Sequence, residues 1–89
     1  MKIQTAKDLK IGDIVKVDHM TLDGEYKWIG MCNWHDGTTD DNGKPVGNAY
    51  KFSFIVMSNT DAEYKANDEI TWTIHDLRLA EAEVISESR

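Results

Sequence analysis

The segment that most constrains the fold lies near the start of the chain, where a turn of helix, a tight turn and a strand follow one another directly. Residues 5–8 (Thr-Ala-Lys-Asp) have the spacing of a helix N-terminal cap, and Gly12 follows so soon that the helix can span only about one turn. The next residues alternate, with Val15 and Val17 on one side and polar side chains on the other. The sequence therefore predicts a short helical turn that leads into the first strand of a sheet.

Three further segments are predicted as strands, and they cover residues 25–34, 50–58 and 70–75. The last of them alternates most cleanly, with Trp72 and Ile74 expected on the inward face. The first has apolar side chains on both faces. It is therefore predicted to be either a central strand or one half covered by the loop that follows it.

The chain has 89 residues, which is enough for one domain, so residues 1–89 are predicted to fold as a single unit. Turn-forming residues are dense across residues 35–48, which predicts a long loop there. The tail from residue 80 is open between a helix and a short last strand, with residues 82–89 as a candidate frayed end.

The charge balance limits the possible partners. A net charge of −6, with ten basic residues scattered along the chain, argues against direct binding to nucleic-acid phosphates. The acidity fits either solubility or an acidic face that meets a protein partner with a basic surface. No apolar stretch is long enough to cross a bilayer and none resembles a signal peptide, so we expect a cytoplasmic protein that does not enter membranes.

Motifs for metal binding or catalysis are weak. Cys32 and His35 have the spacing of half a zinc site, but a site with four ligands would need both distant histidines, so no metal is predicted. The acidic loop fails an EF-hand register, because Thr38 and Ala49 stand where carboxylates are required. The lone Cys32 is expected to point into the core, where its thiol would be inert. No spacing singles out a general acid and base, so we predict neither an enzyme nor a cofactor.

Large aromatic side chains are numerous for so small a core, and most of them are expected inside it. One or two are expected at the surface, where Trp and Tyr dominate binding contacts. Trp34 is the strongest candidate, because it lies where the second predicted strand meets the long loop. The candidate partner-binding residues are Trp34, His35, Asp36, Asp40 and Asp41.

The two ends of the chain resemble small SH3-like β-barrel proteins. Residues 8–17 (Asp-Leu-Lys-Ile-Gly-Asp-Ile-Val-Lys-Val) resemble the opening of such barrels. Residues 72–79 (Trp-Thr-Ile-His-Asp-Leu-Arg-Leu) resemble the closing strand and turn of small barrels among bacteriophage accessory proteins. The resemblance implies a mainly β fold: a single, partly open SH3-like barrel of about five strands with a short N-terminal helical turn. Leu9 and Ile11 are expected to plug one end of that barrel.

Three classes of function fit these features. The first is a non-enzymatic protein-binding module, which in a phage setting would be an acidic inhibitor of a host enzyme or defence complex in the host cytoplasm. The alternative is a small-molecule or nucleotide-binding barrel. A weaker alternative is a single-stranded nucleic-acid-binding barrel. Such barrels stack bases on aromatic side chains in a positively charged groove, which a net charge of −6 disfavours.

Overall fold

A computed structural model describes residues 1–21, 24–42, 46, 48–59 and 65–87. A 3-10 turn at Ala6–Asp8 is followed by the main elements, in order: strands β1 (Ile14–Thr21), β2 (Gly24–His35), β3 (Lys51–Asn59) and β4 (Glu69–Thr73), helix α1 (Ile74–Leu79) and strand β5 (Glu83–Ser86). The predicted mainly β fold with a short helical turn at its start is confirmed. Within the described ranges, neither helical segment has the length and apolarity that a membrane crossing requires.

All five strands belong to one antiparallel sheet in the order β4-β3-β2-β1-β5. Strand β2 is the centre of the sheet, which was one of the two alternatives predicted from the apolar side chains on both its faces. The last strand returns to pair with the first, so that Val15 of β1 lies opposite Val84 of β5. Strands β4 and β5 form the two ends of the sheet, which is open.

The predicted helical turn forms where its cap was expected. The Asp8 carboxylate accepts hydrogen bonds from the backbone N–H groups of Gln4 and Thr5, at 2.9 and 3.0 Å. The chain then bends at Gly12, whose φ of 96° is a conformation that glycine adopts at little cost. There the Gly12 N–H donates to the Cys32 carbonyl at 2.7 Å, which aligns the start of β1 with β2.

Asp13 is a buried charged residue at this bend, with only 2% of its surface exposed. One carboxylate oxygen accepts the backbone N–H of Lys10 at 3.0 Å, and the other lies 3.3 Å from the Lys10 ammonium. A buried carboxylate is tolerated only with such partners, because its desolvation is otherwise costly. The two residues therefore fix the entry into β1 by local pairing.

One face of the sheet packs into the core, together with α1 and the first residues of the chain. Large buried side chains in this core are Ile3, Leu9, Val15, Val17, Trp28, Phe52, Phe54, Val56, Leu77 and Val84. The alternation predicted for β1 is confirmed, and so is the inward position of Leu9. The expectation for Ile11 is wrong, because this side chain is 48% exposed on the outer side of the bend at Gly12.

Trp28 is the central aromatic residue of the core. Its ring centroid lies 5.1 Å from that of Phe54 and 5.4 Å from that of Trp72, which meets it edge-on. Gly30 makes room for this packing: a Cβ at that position would lie 2.9 Å from the Ile55 carbonyl oxygen and 3.2 Å from the Trp28 ring. Strand β2 therefore requires a residue without a side chain at this point.

The strand predicted over residues 70–75 ends early, because a helix begins inside it. The Thr73 hydroxyl accepts from the Asp76 N–H, and the Asp76 carboxylate accepts from the Thr73 N–H, both at 3.1 Å. This reciprocal pair of hydrogen bonds is a capping box with Thr73 as the N-cap, so α1 begins at Ile74. The assignment of Ile74 and His75 to a strand is therefore wrong.

Of the two alternatives for the tail, residues 83–86 form a strand. Residues 1–3 cover its outer side: the Val84 N–H donates to the Met1 carbonyl at 2.8 Å, and the Ile3 N–H donates to the Ala82 carbonyl at 2.9 Å. Much of the candidate frayed end is thus paired within the sheet, and residues 88–89 lie outside the described residues.

Candidate functional site

A register shift near the end of β2 turns Trp34 away from the core. Cys32 pairs with Phe54, but Trp34 pairs with the very next residue of β3, Ser53, so Asn33 is an extra residue in the strand. Strict alternation would have placed Trp34 on the buried face together with Cys32. Instead, 46% of the Trp34 surface is exposed, which agrees with the exposure predicted for it.

His35 lies on the inward side of the same strand, where it is 7% exposed. Its ring centroid is 5.9 Å from that of Phe52, and its Nδ1 accepts the Gly37 N–H at 3.1 Å. His35 thus orders the start of the loop, and its contribution to a contact surface is indirect.

Asp36 holds the two ends of the loop together. Its Oδ1 accepts the backbone N–H groups of Tyr50 and Lys51, at 2.8 and 3.1 Å, while its own N–H donates to the Lys51 carbonyl at 3.2 Å. These hydrogen bonds favour the ionised form and lower the pKa of Asp36 below its usual value. The side chain is exposed, so one carboxylate closes the loop and also adds negative charge to its surface.

The loop that follows is held by its own polar groups. The Asn48 side chain accepts the Thr38 N–H at 3.0 Å and donates to the Thr38 hydroxyl at 3.1 Å. Gly37 lies so close to this pair that a Cβ there would come within 2.6 Å of the Asn48 Oδ1. Thr38 and Asn48 therefore link the outgoing and the returning side of the loop that carries the acidic residues.

Asp40 and Asp41 are both exposed on this loop. The Asp40 carboxylate accepts the Asn42 N–H at 2.9 Å, which is the hydrogen bond of an Asx turn. With Asp36 they place three exposed carboxylates on the segment that directly follows Trp34. Four of the five candidate residues thus lie on the surface, and His35 is the exception.

Several exposed apolar residues at this end of the sheet were not predicted as site residues. Tyr50 is 51% exposed where the loop returns to β3. Ile11 is 48% exposed next to Gly12, whose N–H donates to the Cys32 carbonyl. Met31 is 39% exposed and pairs with Ile55 on the outward face of the sheet. The sequence signal for the exposed Met31 was the presence of apolar side chains on both faces of β2.

Burial makes the Cys32 thiol unreactive. The side chain has no exposed surface, and desolvation raises its pKa to about 12. A thiol that stays protonated at neutral pH is a poor nucleophile and a poor metal ligand. Among the described residues, no three His, Cys, Asp or Glu side chains lie close enough together to hold a metal ion.

A small cavity lies away from the loop, on the sheet between β1 and the far end of β3. Its volume is about 150 Å³, and its lining includes Lys16, Asp18, Lys27, Ile29 and Ser58. None of the predicted site residues lines it. It is therefore a separate feature from the surface around Trp34.

Comparisons of this chain with protein-family models, with curated proteins and with solved structures gave no match. Its function has to be inferred from the side chains gathered at the end of β2.

Proposed function

We propose that this chain is a non-enzymatic protein-binding module that holds its partner through Trp34. The observation that supports this most is the bulge at Asn33, which turns a large indole out of the core at the end of the central strand. Exposed Trp and Tyr side chains supply much of the energy at protein interfaces, because they bury large areas at little conformational cost. Tyr50, just before β3, is a second exposed aromatic residue on the returning side of the loop.

The acidic residues beside Trp34 favour a partner with a basic surface. Asp36, Asp40 and Asp41 place negative charge on the exposed segment that follows Trp34, and the whole chain carries −6. Complementary charge steers association and selects partners more than it adds affinity. In a bacteriophage setting, the module would be a cytoplasmic inhibitor that occupies a basic surface of a host enzyme or defence complex.

We also propose that this five-stranded fold is an SH3-like, partly open barrel. Two features support it: the last strand pairs with the first, and a single short helix joins β4 to β5. Both features belong to the closing part of the chain, where the sequence resembles small SH3-like barrels.

The alternative is a small-molecule or nucleotide-binding barrel, for which the cavity beside Lys16 is the relevant feature. Its volume of about 150 Å³ is below the range of about 300–1,000 Å³ that is usual for ligand pockets. A single-stranded nucleic-acid barrel fits less well still, because a net charge of −6 opposes the positive groove that such proteins use. The cavity volume and the net charge therefore favour neither alternative over a protein partner bound at Trp34.

Replacing Trp34 by Ala tests this proposal directly. Tagged protein is used to capture partners from bacterial lysate, and the captured proteins are identified by mass spectrometry. We expect one stoichiometric partner, whose affinity measured by calorimetry falls about 30-fold or more for Trp34→Ala, the loss typical of a central interface residue. The matched control is Leu79→Ala, which removes an apolar side chain that is 63% exposed on α1.

Two results would contradict the proposal. One is equal affinity of the partner for the wild type and Trp34→Ala. The other is the capture of a nucleotide with no stoichiometric protein, which would favour the small-molecule alternative instead.

A further inference from the structure

Strand β4 lies at one end of the sheet and, among the described strands, pairs with β3 alone. Two hydrogen bonds show which of its backbone groups point toward β3: the Ile74 N–H donates to the Tyr50 carbonyl, and the Val56 N–H donates to the Asp68 carbonyl, both at 2.8 Å. In a strand, the N–H and C=O of one residue point to the same side, and successive residues alternate. The backbone N–H and C=O groups of the even-numbered residues therefore point toward β3. Those of residues 69, 71 and 73 point toward the open side.

The open side of β4 carries unpaired backbone groups. In the described part of the chain, the N–H and C=O groups of Glu69 and Thr71 have no backbone partner on that side. The opposite end of the sheet differs, because residues 1–3 cover β5. Natural proteins protect free edges with charged side chains, especially Lys, and with Pro or a bulge; β4 (Glu-Ile-Thr-Trp-Thr) has one charged residue, Glu69, and neither Pro nor a bulge.

We propose that β4 pairs antiparallel with β4 of a second copy of this chain, about a two-fold axis at Thr71. In this register the two Thr71 residues exchange both of their backbone hydrogen bonds. Ile70 lies opposite Trp72 of the other copy, and Glu69 lies opposite Thr73, each pair occurring twice. The pairing ends at Thr73, whose N–H is already bonded to the Asp76 carboxylate.

The side chains of β4 favour a second copy as the occupant of this edge. Ile70 and Trp72 pack against the core but stay only half-buried, so the proposed cross-strand pair would cover the remaining surface of both. Threonine pairs well with threonine across strands, and Glu69 does not meet its own counterpart, so no like charges are opposed. An isologous contact of this kind uses one surface twice and closes at two copies.

The dimer has a consequence for the proposed function, and this consequence alone rests on that function. Trp34, Ser53 and Thr71 lie in one cross-strand row on the outward face. A two-fold axis perpendicular to the sheet keeps both rows on the same face. The two Trp34 side chains would then be five strand spacings apart, about 24 Å, and would form a bivalent surface.

Sedimentation velocity on the isolated full chain tests the dimer without any partner, so the outcome is independent of the Trp34 proposal. The contact is small, so we expect a shift from the monomer mass to twice that mass between about 1 µM and 1 mM. Thr71→Pro removes the N–H that the second copy needs, at an edge position where proline is tolerated. Thr71→Ala is the matched control, because it loses the same hydroxyl contact with Ser53 but keeps the N–H. We expect Thr71→Ala to dimerise and Thr71→Pro to remain monomeric.

A second pair of variants covers the case in which Thr71→Pro does not fold. Thr71→Lys and Thr71→Glu each place like charges opposite one another at the axis, so each alone should be monomeric while retaining the circular dichroism spectrum of the wild type. Mixing the two variants should restore the dimer through opposite charges. A wild type that is monomeric up to about 1 mM, a Thr71→Lys variant that still dimerises, or a mixture that stays monomeric would overturn the proposal.

Discussion

The three tryptophans occupy three different environments, and each environment implies a different cost of truncation. Trp28 is 1% exposed at the centre of the core, Trp72 is half-buried at the edge strand, and Trp34 is 46% exposed beside the loop. The alternation of residues 70–75 predicts an inward Trp72, and the structure places it inward but only partly covered. The free energy of unfolding should therefore respond most strongly to Trp28.

We expect Trp28→Ala to reduce the free energy of unfolding by about 3–5 kcal/mol, because a large buried ring leaves a cavity that the core cannot fill. Trp72→Ala should cost about 2 kcal/mol, since less of its surface is removed from water. Trp34→Ala should change stability by no more than about 0.5 kcal/mol. Urea denaturation followed by far-UV circular dichroism measures all three. A loss at Trp34 equal to that at Trp28 would mean that the indole belongs to the core.

At the scale of elements, a single carboxylate joins the two ends of the loop between β2 and β3. Asp36 accepts two backbone N–H groups at the point where the loop rejoins β3, and these hydrogen bonds lower its pKa. A group whose pKa is lower in the folded than in the unfolded chain stabilises the fold above its unfolded pKa of about 3.9. That contribution is lost as the pH falls through the folded pKa.

We therefore expect Asp36→Asn to be less stable than the wild type at pH 7. The difference should shrink as the pH falls below the unfolded pKa of about 3.9 and through the lowered pKa of the folded protein. Urea denaturation of both proteins between pH 7 and pH 3 measures the difference. Asp41→Asn serves as the control, because it removes an exposed carboxylate of the same loop. A difference between Asp36→Asn and the wild type that stays constant with pH would show that the charge of Asp36 does not hold the loop.

The elements that the sequence predicted well are those in which one local rule operates. The alternation of Val15 and Val17, and the acidic cap at Asp8, lead directly to β1 and the turn before it. The bulge at Asn33 could not be predicted, because a period-two pattern does not show where an extra residue is inserted. Without the bulge, the alternation assigns Trp34 to the buried face. Its exposure was anticipated only from its position at the loop.

The helix α1 was missed for a related reason. Thr73 and Asp76 have the spacing of a capping box, which is the same signal that predicted the first helical turn. The apolar alternation continues through Ile74, however, and it favoured a longer strand. Within α1, Ile74 and Leu77 are three residues apart and both pack toward the core, whereas Leu79 is 63% exposed.

At the scale of the whole molecule, the net charge of −6 makes two kinds of association respond to salt in opposite directions. Binding to a basic partner should slow as ionic strength rises from about 50 to 500 mM, because salt screens the attraction. Replacing both Asp40 and Asp41 by Asn should flatten this dependence. Association rates measured by stopped-flow fluorescence with the captured partner test it. Rates that do not change with salt would mean that the acidity serves solubility alone.

Two acidic copies repel each other over the same distances. Salt should therefore strengthen the dimer formed through β4 while it weakens binding to a basic partner.

The pairing of β5 with β1 also determines when this chain can fold during its synthesis. Strand β1 receives its second neighbour only when residues 83–86 have left the ribosome, long after β1 and β2 have emerged. Until then the backbone groups on one side of residues 14–16 have no strand to bond, and a neighbouring nascent chain can compete for them. Residues 83–86 thus protect residues 14–16, which are synthesised much earlier.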